Sequence, residues 1–162
     1  MFVQEIALFK GTSHLFAQKI MKVGQQMSFG ARTAIFSEGD RAHRLYILMD
    51  GRVRLSTGQT GLVVYIASHS GEAFGWSSLM GRAFYSASAE TLSPVRLLAF
   101  ERDRMLQIIE EDPRSGFILF KGLAMTLGNR LLQSYGMLSD APQFAASPSQ
   151  GSGQFQTCDE AT

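Results

Sequence analysis

The spacing of apolar residues changes its period twice along this chain. From residue 3 to 23 it is close to helical, with a break at Gly11-Thr12-Ser13. Ile6, Leu8 and Phe9 make a first small cluster. Ser13 then stands where it can cap a second helix, His14 to Val23, whose apolar positions are Leu15, Phe16, Ile20 and Val23. The pattern predicts a short helical pair closing one end of a core.

From Gln25 the apolar runs shorten and glycines punctuate them. MSFG, TAIF, HRLYILMDG, RVRLSTG, GLVVYIAS, YSASAETL and PVRLLAF each read as a strand. Asp50-Gly51, between two such runs, is the strongest hairpin signal. Leu45 to Met49 is apolar without alternation, which suits a strand covered on both faces. Many short antiparallel strands at this spacing predict a mainly β fold: a sandwich, jelly roll or barrel.

After Phe100 the period becomes helical again. Asp103 opens a helix through Met105, Leu106, Ile108 and Ile109, and Asp112-Pro113 restarts the chain into a long helix, about 114 to 138. Phe117, Phe120, Ala124, Leu127, Leu131, Ser134 and Leu138 alternate three- and four-residue steps, the seam of a coiled coil, and predict a homodimer. Gly122 and Gly128 each cost about 1 kcal/mol relative to Ala inside a helix, though small residues also let a partner backbone come close. Residues 139–162 are rich in Ser, Gln, Gly, Ala and Pro, too polar to offset their ordering entropy, and are expected to be a disordered tail.

Composition narrows the function classes. The length of 162 residues fits one domain: 1–138, made of a β-roll over 24–100 and C-terminal helices over 101–138. All 15 Lys and Arg precede Leu138 and three of the 14 acids follow it, so the body carries +4 and the tail −3. That is too mild a balance to argue for nucleic acid. With one cysteine, Cys158, the chain can form no internal disulfide and no multi-cysteine metal site. No apolar run approaches a membrane span and the N-terminus lacks a signal-peptide pattern, so a soluble, cytoplasmic setting is expected. His14, His43 and His69 are scattered, and no HExxH, P-loop or GxSxG pattern occurs, so neither a metal site nor catalysis is expected.

The stretch from Gly71 to Glu90 is the candidate site. Gly71 and Gly75, then small and apolar residues, can gather backbone N–H groups around a small anion. Gly30, the IFSEGD run at 35–40, LYILMDGRVRL at 45–55 and Gly71-Glu72-Ala73-Phe74-Gly75 resemble the cyclic-nucleotide-binding domain, and most nearly the effector domain of the CRP/FNR superfamily of bacterial regulators. The resemblance spans about residues 5 to 138. It implies a double-stranded β-helix, or jelly-roll β-roll, with N-terminal helices and a long C-terminal dimer helix. It also implies that the stretch is the phosphate-binding cassette, in which Phe-Gly-Glu and a later Arg hold ribose and cyclic phosphate.

Phe74 and Gly75 match that pattern. Trp76 stands at the position of the Glu and Tyr85 at that of the Arg, followed by Ser86 and Ala87. Loss of the Arg alone should weaken a cyclic nucleotide at least about ten- to hundredfold. Three readings follow. In the first, Phe74, Trp76, Leu79 and Tyr85, with Ser77, Ser78, Ser86 and Ser88 as polar points, bind a different small effector, or fill the pocket. In the second, Arg82 and the cassette backbone still hold cAMP or cGMP, with Thr126 and Asn129 as a lid on the base. In the third, the β-roll is a scaffold for a protein partner. Since a polar tail follows the helix where DNA-binding relatives carry a further domain, no direct DNA contact is expected. The Phe74 to Ser78 segment offers no haem ligand, and the N-terminal cysteines of iron–sulfur relatives are missing.

Overall fold

The computed structural model of the chain describes residues 6–140, with side chains described as far as Gly136. The tail predicted from 139 lies outside the described residues from 141 onward, as does the Leu138 side chain.

Eight strands form two four-stranded antiparallel sheets: β1 (Gln25–Phe29), β2 (Ala34–Phe36), β3 (Arg44–Asp50), β4 (Val53–Thr57), β5 (Leu62–Ala67), β6 (Ala73–Phe74), β7 (Ser88–Thr91) and β8 (Val95–Glu101). One sheet runs β1-β8-β3-β6 and the other β2-β7-β4-β5. Around them lie a 3-10 turn at Ala7–Phe9 and three helices, α1 (His14–Val23), α2 (Arg102–Glu111) and α3 (Pro113–Asp140). This is the expected β-roll with flanking helices.

Local chemistry sets the helix ends. The Ser13 hydroxyl accepts the Phe16 N–H at 3.1 Å and opens α1. Asp112 caps α3 by accepting the Ser115 N–H at 3.1 Å, with Pro113 in the first turn where no N–H is required. The two caps are joined: Ser13 Oγ donates to Asp112 Oδ2 at 2.9 Å, and the Ser13 N–H donates to Ser115 Oγ at 3.0 Å.

The unbroken apolar run in β3 serves two cores. Leu45 and Ile47, with Leu98 and Phe100 of β8, pack outward on Phe9, Phe16, Ile20, Met105, Leu119 and Leu123. Tyr46 and Leu48, with Val95, Leu97 and Ala99, pack inward on the second sheet's Val53, Leu55, Ala67 and Ala89. Each buried Val, Leu, Ile, Phe or Met among them contributes about 1.5–3 kcal/mol. The central strands are therefore clad on both faces.

Three expectations need correction. Asp50-Gly51 does not close a hairpin, because β3 and β4 belong to different sheets. It is a corner: Gly51 has φ +96°, and a Cβ there would stand 2.3 Å from the Pro94 carbonyl oxygen. The hairpin is β4–β5, turned at Gly58 to Gly61. The YSASAETL run is a strand only over Ser88–Thr91, while β6 inside the candidate stretch was missed.

The seam of α3 also splits. Leu119 and Leu123 are buried, and Phe120 and Leu127 pack against the helix–sheet core of their own chain. Phe117, Ala124 and Leu131, one heptad apart, remain exposed. The d-like half of the repeat is spent within the chain; of the a-like half, Phe117 and Ala124 face outward, and Leu131, half exposed, also borders a cavity described below. Gly122 brings the N-terminal turn close, since a Cβ there would lie 3.4 Å from the Leu8 oxygen, whereas Gly128 faces open space.

Candidate functional site

The cassette begins at a corner that needs glycine. Gly75 has φ +76°, and a Cβ would meet the Arg44 oxygen and Tyr46 ring at 3.1 Å. The chain then makes a single 3-10 turn, Trp76–Ser78, in which Ser78 Oγ donates to the Gly75 oxygen at 3.0 Å. Phe74, Ser77, Ser78 and Leu79 are buried, Leu79 in the helix–sheet core.

Tyr85 occupies the deep end. It is 4% exposed, and its ring lies 3.8 Å from that of Phe36 in a stack that continues through Tyr46 and Phe74. Its hydroxyl donates to the Arg44 oxygen at 2.8 Å and accepts the Arg44 N–H at 3.1 Å. Burial raises its pKa well above the ordinary phenol range, so it remains a neutral phenol. Where the resemblance implies a charge for phosphate, an uncharged ring is fully used in packing and hydrogen bonding.

In front of Tyr85 a cavity of about 310 Å³ is open. Gly75, Trp76, Ser77, Tyr85, Ser86 and Ala87 line it from the cassette side, Phe36, Leu55, Thr57, Val64 and Tyr65 from the strands, and Arg130, Leu131 and Ser134 from α3. Gly71 lies outside it, on a second cavity, and Arg82 is exposed on the following turn. Thr126 and Asn129 also line that second cavity, with Glu72, Ser70 and Gln133. On α3 it is Arg130, Leu131 and Ser134 that line the first cavity.

Arg130 is the residue that sequence reasoning missed. Its guanidinium carbon lies 3.9 Å from the Tyr65 ring centre and 4.4 Å from that of Trp76. Nη2 donates to the Ala73 oxygen at 2.9 Å. Nη1 is buried and has no hydrogen-bond partner among the described residues. Burial lowers its pKa from the ordinary arginine value, and the nearby Tyr65 and Glu72 act against that shift. A signal was present: Leu127, Arg130, Leu131 and Ser134 share one helical face, with a cation in a run otherwise apolar or small.

Glu72 organises the turn beneath. It accepts the Tyr65 hydroxyl, the Ser68 N–H at 2.7 Å and the His69 N–H at 2.8 Å. Burial alone would raise its pKa; these bonds outweigh burial and hold the carboxyl below its ordinary value. Among the described residues no group of three His, Cys, Asp or Glu side chains converges to hold a metal, and no helix is long and apolar enough to cross a membrane.

Comparison with known proteins fits this architecture. The cyclic nucleotide-binding domain family matches residues 26–112, more than half of the chain. The global nitrogen regulator of a Nostoc species is 32% identical over 119 residues, covering 68% of this chain and 50% of the regulator. The CRP-like cAMP-activated global transcriptional regulator of Mycobacterium tuberculosis is 26% identical over 124 residues, covering 74% and 54%. The chain spans about half the length of these curated relatives. Among solved structures, the catabolite activator protein of Thermus thermophilus superposes with TM-score 0.66 at 28% identity, covering 82% of this chain and 62% of that protein. A putative cyclic nucleotide-binding protein from Geobacter metallireducens reaches TM-score 0.70 at 24% identity, covering 81% and 98%, a likeness of fold. The chain belongs to the cyclic nucleotide-binding domain family, in the form carried by CRP/FNR regulators.

Proposed function

We propose that this chain is a cytoplasmic regulatory module that senses a small ligand with an apolar body, and that it does not hold a cyclic nucleotide by the usual Glu and Arg anchors. One observation carries the reading. By the resemblance Trp76 and Tyr85 stand at the anchor positions, and a cavity of about 310 Å³ lies open between them and α3. Calorimetry with cAMP and cGMP should show no micromolar binding. Micromolar affinity that disappears in Arg82→Ala would overturn this, by returning the anchor to the cassette.

The module acts as a homodimer through α3. The exposed stripe favours this: Phe117 is 69% exposed, Leu131 51% and Tyr135 54%, with Ala124 and the open face of Gly128 among them. An apolar stripe with small residues at its centre suits the close approach of a second helix. Sedimentation should give twice the chain mass for the wild type and the single mass for a folded Phe117→Asp variant; an unchanged mass would place any interface elsewhere.

A further inference from the structure

The polar groups around the open cavity are nearly all in use. Thr57 Oγ1 donates to Glu38 Oε2 at 3.2 Å, and Ser134 Oγ to the Arg130 oxygen at 3.0 Å. Ser77 and Ser86 face each other at 3.4 Å, and the Tyr85 and Tyr65 hydroxyls are bound as described. What remains is Nη1 of Arg130, a charged donor out of water and without an acceptor. A buried ionic donor left in that state is costly, more so than a neutral one.

No acid lines this cavity. Glu72 stands on the neighbouring cavity, which Arg130 also borders, and its charge favours the guanidinium, but it already accepts three hydrogen bonds. The aromatic contacts use the flat of the guanidinium and Nη2 is bound to the Ala73 oxygen, so Nη1 is the donor left on the N–H edge, by which a carboxylate is best received. The remaining wall is Phe36, Leu55, Val64, Tyr85 and Leu131, which offers nothing to a second charge. The volume of about 310 Å³ is at the small end of ligand pockets, which run from about 300 to 1,000 Å³.

We propose that Arg130 is the anion anchor of this pocket and that its ligand is a small monocarboxylic acid with an apolar body, head toward α3 and body toward Phe36 and Tyr85. The charge that relatives of the cassette pattern would place on the strand side is thereby supplied from the helix. The inference rests on the reading of the cavity as an open ligand site.

Trp76 is the sole tryptophan of the chain and touches both cavity and Arg130, so its fluorescence reports binding directly. The full chain is titrated with octanoate and phenylacetate, and with their uncharged counterparts 1-octanol and phenylacetamide. In the wild type each acid should bind about ten- to hundredfold more tightly than its neutral counterpart. In Arg130→Gln that advantage should fall to about twofold or less while the neutral probes bind as before, which also shows that the pocket is intact. Arg130→Lys should recover part of it. Equal binding of acid and neutral probes to the wild type would overturn the anchor and leave the open-pocket reading standing. Failure of all four probes to bind would overturn both.

Discussion

The two ends of the cavity hold two large polar side chains in opposite states. At the strand end, Tyr85 is uncharged, stacked, and bonded through both functions of its hydroxyl. At the helix end, Arg130 is charged, lies against two rings, and keeps a buried Nη1 unpaired. The first arrangement maximises stability and has no capacity left for a ligand. The second holds a binding capacity in reserve at some cost to stability. The same fold thus carries an uncharged, fully bonded wall and a charged, incompletely bonded one across a single cavity.

The contrast is open to test by stability first. Tyr85→Ala removes a buried aromatic ring and strands the Arg44 backbone groups, so it should cost about 3–5 kcal/mol in urea unfolding. Arg130→Met should cost about 1–2 kcal/mol, since it gives up the aromatic contacts and the bond to the Ala73 oxygen but also removes an unsatisfied buried donor. Equal losses for the two variants would break the comparison. The smallest effect is one of pH. The Glu72 carboxyl is held below its ordinary value of 4.5, so its contribution is complete above that pH and is lost as pH falls through the lower folded-state value. Thermal midpoints of the wild type and Glu72→Gln should therefore differ most near neutrality and draw together below pH 4.5.

Much of the fold was legible because it is written locally. The Ser13 cap, the Asp112-Pro113 restart and the two-faced run from Leu45 each depend on neighbours within a few residues. Asp50-Gly51 was misread for the converse reason. A tight glycine turn is a local signal, but whether it joins paired strands or passes between sheets depends on the distant Pro94-Val95 segment. The site divides in the same way. That Trp76 and Tyr85 stand where the resemblance implies Glu and Arg is an expectation readable from the sequence. The signal of Arg130, a cation on the face of Leu127, Leu131 and Ser134, is masked because a heptad pattern assigns that face to a partner helix. The chain's own β-roll takes half of that seam and turns Arg130 inward.

The junction of the Ser13 and Asp112 caps has a mechanical consequence. It pins α3 at its first turn, while the guanidinium of Arg130 holds it again some 27 Å further on, at about 1.5 Å per residue. Between these two points Leu119, Leu123 and Leu127 seat the helix on the core, and the nearly three turns beyond Arg130, through Tyr135 to Asp140, are its overhang. A displacement of Arg130 would be carried outward by that overhang, since its ten residues extend about 15 Å at about 1.5 Å per residue.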